Sequence, residues 1–291
     1  MSEEYIPVDK DYDVIEKTVK NDNPELSYPV NVKITYENTI TNNGPSTLTA
    51  TTYFAVPPSL PNQEIKEITF SPDSFIMVID NWGQQIAYYT RNIDVGKTST
   101  VSYTVEATLY YMRYNIDPDE VTGEIPKDIL DRYTTDEEMY KINDPVIMGA
   151  VEEAVGDEEN LYWKAWKIHD YIKSHLYYKN DHRWDDAPTV LSQGHGSCTE
   201  YTWLFIAMCR AAGIPARYVG GTHYGGHGQV PYYDTAGHRW AQIYLPNYGW
   251  IPVDVTFDDS GGGHTYFGAT NNQVFVTTIS GGPSNYLGWR K

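Results

Sequence analysis

Residues 196–217, GSCTEYTWLFIAMCRAAGIPAR, narrow the choice of folds more than any other stretch of the chain. Residues 198–212 read as a buried helix. Gly213 stops it, and Pro215 follows where a helix cannot continue. The helix starts at or next to Cys198, with Ser197 or Gly196 available as cap. A sulfur at that position meets unpaired backbone N–H groups and the positive end of the helix dipole. Both favour thiolate over thiol, as a cysteine nucleophile requires. Cys209 is eleven residues further on, about 16 Å along the axis at 1.5 Å per residue. The two sulfurs therefore cannot pair, and Cys209 reads as a small core residue.

A thiolate nucleophile needs a base. His238 opens HRWAQIYLPNYGWIPVDVTF, a hairpin-like stretch turning at PNYG, whose second arm carries Asp254. A carboxylate beside an imidazole fixes its tautomer and stabilises the imidazolium. Register decides whether the two meet. Pairing Leu245 with Trp250 puts Asp254 on the wrong face. Pairing Leu245 with Gly249 puts Trp240 opposite Asp254, with His238 one diagonal step away on the same face. The sequence thus predicts a three- or five-residue loop, or a bulge near Pro252.

Upstream, VNVKITYENTI (30–40), TLTATTYFAVP (47–57) and KTSTVSYTVEATLYY (97–111) alternate apolar and polar residues between turn clusters. This predicts a β-sandwich over 28–112, preceded by a polar arm or short helix over 1–27. Residues 113–157 read as an acidic connector with short helices, one of them PVIMGAVEEAV. From Asp117 to Glu159 there are 15 acidic and 3 basic residues. The stretch reads as a solvated face. An alternative, a cation-binding patch, lacks the regular spacing of a calcium loop. An amphipathic helix follows on Leu161, Ala165, Ile168, Ile172 and Leu176. It opens a catalytic domain over 158–291, so the fold class expected is α+β.

The formal net charge of −18 makes sequence-independent nucleic-acid binding improbable and disfavours an anionic membrane surface. Two cysteines make no disulfide framework. With no secretory leader or spanning segment in the sequence as given, the expectation is a cytoplasmic protein.

Together, the Gly-Ser-Cys start, the Cys198 helix, RAAGIPARYVGG, the HRW strand and the GWIPVDVTF strand resemble the transglutaminase-like superfamily of papain-related folds. The likeness covers about residues 160–258, and the order Cys198, His238, Asp254 matches that family's catalytic order. The resemblance implies thiol acyl transfer on a protein or peptide substrate, through a thioester and with no cofactor or metal. Hydrolysis, as in a cysteine protease or isopeptidase, is favoured over transamidation, with glycan-releasing amidase activity a more distant option. The rival from another class is a non-catalytic binding module on the same core. The Cys198 N–H is the first oxyanion donor. The second is open: Trp184 stands first because family members often use an aromatic donor, with Gln193, Tyr177 and Tyr178 behind it. Asp258 and Asp259 are weaker acid candidates because they lie past the expected strand.

His223 and His227, in GGTHYGGHGQVPYY (220–233), have a zinc-like spacing only if helical. The glycines argue instead for a mobile loop bordering the cleft. SGGGHTYFG (260–268) reads as a similar loop. His182, His195 and His264 read as surface residues, with His195 near enough to modulate Cys198. His169 and His175 read as structural residues of the amphipathic helix.

Overall fold

The computed structural model describes residues 3–7, 24–223, 232–234, 237–261 and 263–289. Seven strands come first: β1 (Glu3–Pro7), β2 (Glu25–Thr41), β3 (Leu48–Ala55), β4 (Gln63–Ser71), β5 (Ile76–Ile79), β6 (Gln85–Ile93) and β7 (Thr98–Arg113). The helical segment follows with α1 (Lys127–Tyr133), α2 (Pro145–Val155) and α3 (Leu161–His175). Then come β8 (Tyr177–Tyr178), α4 (Ala187–Gln193), β9 (His195–Gly196) and α5 (Cys198–Ala211). The chain ends in β10 (Ala216–His223), β11 (Tyr232–Asp234), β12 (His238–Leu245), β13 (Gly249–Val253), α6 (Val255–Gly261), β14 (Ala269–Thr270) and β15 (Val274–Ser280).

The long strands β2 and β7 are the spine of the first sheet, ordered β11-β1-β2-β7-β14, with β4 also paired to β7. Alternation in the sequence sets which side chains face inward: Val32, Ile34 and Tyr36 on β2, and Val101, Tyr103, Val105, Ala107 and Leu109 on β7, are all buried. The antiparallel β3-β6-β5 sheet covers them through Phe54, with Phe75 and Tyr89 alongside. Tyr36 stacks on Tyr103 with ring centroids 4.9 Å apart. The strand-rich region is thus two sheets with an aromatic filling.

The second core forms around α5. Trp203, Leu204, Phe205, Ile206 and Met208 are inaccessible to solvent, as is Cys209. Helices α2, α3 and α4 pack against α5, as do strands β10 and β12 of the antiparallel β13-β12-β10-β15 sheet. At about 25 cal/mol per Å2 of apolar area, burying side chains of this size on every face is the main stabilisation of that half. Among the described residues, no helix is long and apolar enough to cross a membrane.

The two halves share backbone and side-chain bonds. β14 pairs with β7 through Ala269↔Arg113 and Thr270↔Met112. Phe275 on β15 belongs to the aromatic filling of the strand-rich half. The buried Gln63 amide acts as a surrogate strand: its Nε2 donates to Val276 O at 2.9 Å and its Oε1 accepts from Val276 N at 2.7 Å.

Several expectations need correction. Of the loop predicted over 220–233, Gly220–His223 are strand instead, because β10 carries through them. Gly221 is required there: a Cβ would lie 2.1 Å from Phe275 O, closer than any side chain permits. Residues 224–231, with His227, lie outside the described residues, as do 8–23 of the N-terminal arm. The stretch before Gly196, which shows no period in the sequence, contains α4. Asp186 caps it by accepting from Thr189 N at 3.1 Å, and Pro188 sits in its first turn. Asp254 is not on a strand, because β13 ends at Val253 and α6 starts immediately after Asp254.

Candidate active site

Cys198 is the first residue of α5, with Ser197 at the cap. Glu200, one turn in, reaches back to accept the Ser197 N–H at 2.7 Å and also accepts the Asp185 N–H at 3.2 Å. This carboxylate is 1% exposed, and it fixes both the helix start and the loop leading into it. Gly196 makes room for it, since a Cβ there would lie 2.8 Å from Glu200 Cβ. The consequence is a rigidly held, partly exposed sulfur at the positive end of a buried helix.

The β12–β13 hairpin brings up the imidazole. Leu245 pairs with Gly249 across a three-residue loop, and Ala241 with Val253 at the far end of the ladder. This is the register the sequence requires for the pair to meet. His238 Nε2 and Asp254 Oδ2 are 2.5 Å apart, and both residues are buried. Asp254 serves three further contacts: its Oδ1 accepts from Phe257 N at 3.1 Å, its N–H donates to Tyr266 O at 3.1 Å, and its carbonyl accepts from Asp258 N at 3.2 Å. The same carboxylate therefore orients the imidazole and caps α6. Phe257, on the first turn of α6, lies parallel to the His238 ring at 4.2 Å and 10°, with Trp240 stacked on the imidazole at 5.6 Å and 20°.

With Nε2 engaged by Asp254, the Nδ1 side of His238 is left for its hydrogen bond to the Cys198 sulfur. Burial works against ionisation of Cys198, but the hydrogen bond and charge of His238, with Arg239 adding its own charge, bring the thiol below its ordinary value. Burial likewise opposes the imidazolium. The Asp254 carboxylate and the Cys198 contact overcome it and push His238 up to about 10. Each residue stabilises the ionised form of its neighbour, which favours a thiolate–imidazolium pair.

The sequence-predicted residues Cys198, His238 and Asp254 are thus brought together. Trp184 and Gln193 are not joined to them by any hydrogen bond among the described residues. Trp184 is 49% exposed and sits edge-on to Trp203 at 6.2 Å, and Gln193 Nε2 donates to His195 O at 3.0 Å. Tyr178 lies closer. β8 runs parallel to β9 with Tyr178 beside Gly196, and burial followed by the charges of Cys198 and Glu200 raises its hydroxyl above the ordinary tyrosine value. Among the remaining acids, Asp258 is buried against His169 at 3.0 Å, and Asp259 Oδ2 accepts from the Tyr201 hydroxyl at 3.0 Å.

Sequence reasoning missed Arg239, Glu200 and Phe257. Arg239 was readable only as the middle of HRW. Its Nη1 donates to His238 O at 2.8 Å and to Gly221 O at 3.2 Å, which places its charge beside the thiol. The spacing of Ser197 and Glu200 is a capping-box signal and was available in the sequence.

Among known protein families, residues 149–255 match the profile of the transglutaminase-like superfamily. The chain carries a transglutaminase-like core. The structure is similar over 89% of its length to 84% of a candidate cysteine protease from Cytophaga hutchinsonii, with a TM-score of 0.64 and 20% identity. An uncharacterized Haemophilus influenzae protein is 32% identical over 161 residues, covering 44% of this chain and 42% of that one. A peptide-N(4)-(N-acetyl-beta-glucosaminyl)asparagine amidase of Macaca fascicularis is 27% identical over 104 residues, covering 35% of this chain and 14% of the amidase. The chain therefore spans less than half the length of these curated relatives.

Proposed function

We propose that this protein is a thiol acyl-transfer enzyme that cleaves amide, peptide or isopeptide bonds. The observation that carries the reading is His238 held between the Cys198 sulfur and the Asp254 carboxylate at the start of a buried helix. In the first half-reaction the Cys198 thiolate attacks the carbonyl carbon. The C–N bond breaks, the His238 imidazolium gives its proton to the leaving amine, and a thioester remains. In the second, water attacks the thioester while His238 takes its proton. The C–S bond breaks, the thiolate is restored, and a carboxylic acid leaves.

Asp254 retains its negative charge throughout and holds the imidazole by Nε2. The oxyanion of each tetrahedral intermediate is met by the Cys198 N–H, one of the unpaired donors of the first helical turn. The hydroxyl of Tyr178 supplies the second donor in this reading, because the β8–β9 pairing sets Tyr178 beside Gly196, two residues before Cys198. Hydrolysis is the favoured outcome. The names of the Cytophaga protease and the Macaca amidase both describe hydrolases, and transamidation to a lysine amine is the alternative fate of the same thioester.

The test is the pH dependence of alkylation by iodoacetamide, read by intact mass and peptide mapping, with His238→Ala as control. Rapid labelling of Cys198 well below pH ~8.5, the region of a free thiol, and slowing in the mutant support the reading. Labelling that follows a free-thiol curve in both proteins overturns it and leaves the binding-module alternative.

A further inference from the structure

Between α3 and the segment after α6 lies a cluster of side chains that the acyl-transfer chemistry does not use. His169 and Asp170 are neighbours on α3, and His264 comes from the segment after α6. His264 Nε2 is 2.6 Å from Asp170 Oδ1, and His169 Nδ1 is 3.9 Å from the same oxygen. One donor atom from each of the three lies within 4.8 Å of the others. His264 is not the free surface residue its sequence context suggested, for its ring lies flat on Trp166 at 3.9 Å and 12°.

The informative atom is His169 Nδ1. His169 is inaccessible to solvent, and among the described residues its Nδ1 has no hydrogen-bond partner, in a position where an unmet polar atom is costly. Its other nitrogen is fixed. Nε2 lies 3.0 Å from Asp258 Oδ2, and that carboxylate is itself buried and accepts the Tyr266 N–H at 2.9 Å on its other oxygen. A carboxylate on one imidazole nitrogen places the proton there and turns the lone pair of the other toward the cluster. Histidines that ligate metals are commonly held in this way. Stacking on Trp166 fixes the orientation of the second imidazole as well.

We propose that His169 Nδ1, Asp170 and His264 form a binding site for a divalent transition-metal ion of the zinc type. Two imidazoles and a carboxylate are the donor set such ions take, and solvent completes a fourth position. Tetrahedral metal–ligand distances of about 2.0–2.2 Å place donors roughly 3.4 Å apart, so binding opens the 2.6 Å His264–Asp170 contact and closes the 3.9 Å His169–Asp170 one. The site is structural. It pins the 263–267 segment to α3, where Lys173 Nζ already holds Gly263 O at 2.5 Å. Two residues past His264, the Tyr266 carbonyl accepts the Asp254 N–H. The metal therefore braces the backbone that carries the His238 carboxylate.

The experiment uses the full chain with Cys198→Ala, which removes the exposed sulfur as a competing ligand, stripped with chelator and titrated with zinc chloride and with cobalt(II). The expected result is one equivalent of zinc and a cobalt spectrum of low-coordinate type without a sulfur charge-transfer band. Asp170→Asn, which preserves shape at a half-exposed position, and His264→Ala each weaken zinc binding at least ~10-fold. His223→Ala leaves it unchanged. Circular dichroism of the metal-free variants shows that they remain folded. Failure of the folded Cys198→Ala protein to take up an equivalent of zinc overturns the proposal. So does uptake that survives both Asp170→Asn and His264→Ala, or uptake lost in His223→Ala.

Discussion

Asp254 uses its two carboxylate oxygens on different elements: Oδ2 on the His238 imidazole at the start of β12, and Oδ1 on the Phe257 N–H in the first turn of α6. The cap that starts α6 thereby also sets the position of the charge that makes His238 basic. Asp254→Asn retains the size and an oxygen for Phe257 but loses the charge. The value for His238 falls back toward that of ordinary histidine, and the Cys198 thiolate loses its counterion. Turnover is expected to drop by roughly 10³–10⁴-fold, as when the orienting carboxylate of a triad is made neutral. The rate of Cys198 alkylation at neutral pH falls with it. Alkylation at the wild-type rate would show that Asp254 has no electrostatic role.

Proton linkage gives the pair a pH signature. His238 is raised from about 6.5 to about 10, and Cys198 is lowered. Between the unfolded values of roughly 6.5 and 8.5, the folded pair and the unfolded chain each hold one proton, and the contribution to stability is level. Above that window the folded state still holds a proton that the unfolded state has released, so stability falls as pH rises toward about 10. Below it the unfolded state holds two protons and the folded pair one, so stability falls as pH falls through the lowered Cys198 value. The difference in melting temperature between wild type and the Cys198→Ala/His238→Ala double variant, scanned over pH, is expected to follow this flat-topped curve. A difference that declines in only one direction argues against the ionised pair.

Glu200 is buried beneath the reactive sulfur and holds the N–H groups of Ser197 and Asp185. Glu200→Ala strands two backbone donors. It is expected to cost about 1–3 kcal/mol, the penalty for a buried group losing its partner, measured by urea unfolding. Gly196→Ala should act on the same contact from the other side, because its methyl group displaces Glu200.

Tyr178 and Trp184 make opposite predictions as oxyanion donors. Tyr178→Phe is expected to lower kcat by roughly 10²–10³-fold with KM little changed, the loss typical of one donor to the intermediate. Iodoacetamide forms no such intermediate, so its reaction with Cys198 is unaffected. Trp184→Phe, changing an exposed ring beside Trp203, leaves kcat near wild type. The reverse pattern assigns the donor to Trp184.

Most of the chemistry-bearing geometry was legible because it is local. Gly213 and Pro215 end α5, its apolar run buries it, and the hairpin register follows from where Asp254 must point. The alternation of Val32, Ile34 and Tyr36 marked a half-buried strand for the same reason. The rest depends on contacts distant in sequence. His169 and Asp258 are 89 positions apart, and no periodicity announces their meeting. Arg239 is drawn to the thiol by carbonyls that only the folded sheet supplies. Helix α4 was missed because seven residues show no period, although Asp186 and Pro188 signalled its start. The placement of Asp254 between the end of β13 and the start of α6 shows how capping chemistry can override an apparently continuous β pattern.

The pairing of β14 with β7, with the Gln63 amide bonded to Val276, has a consequence for how the chain comes apart. Backbone hydrogen bonds of one half terminate on groups of the other, so neither half can melt without stripping donors and acceptors from its neighbour. Heat or denaturant should dismantle both together in a single cooperative transition. Excising the first 112 residues would leave a core with an exposed apolar face at Phe275. Such a fragment should be prone to self-association.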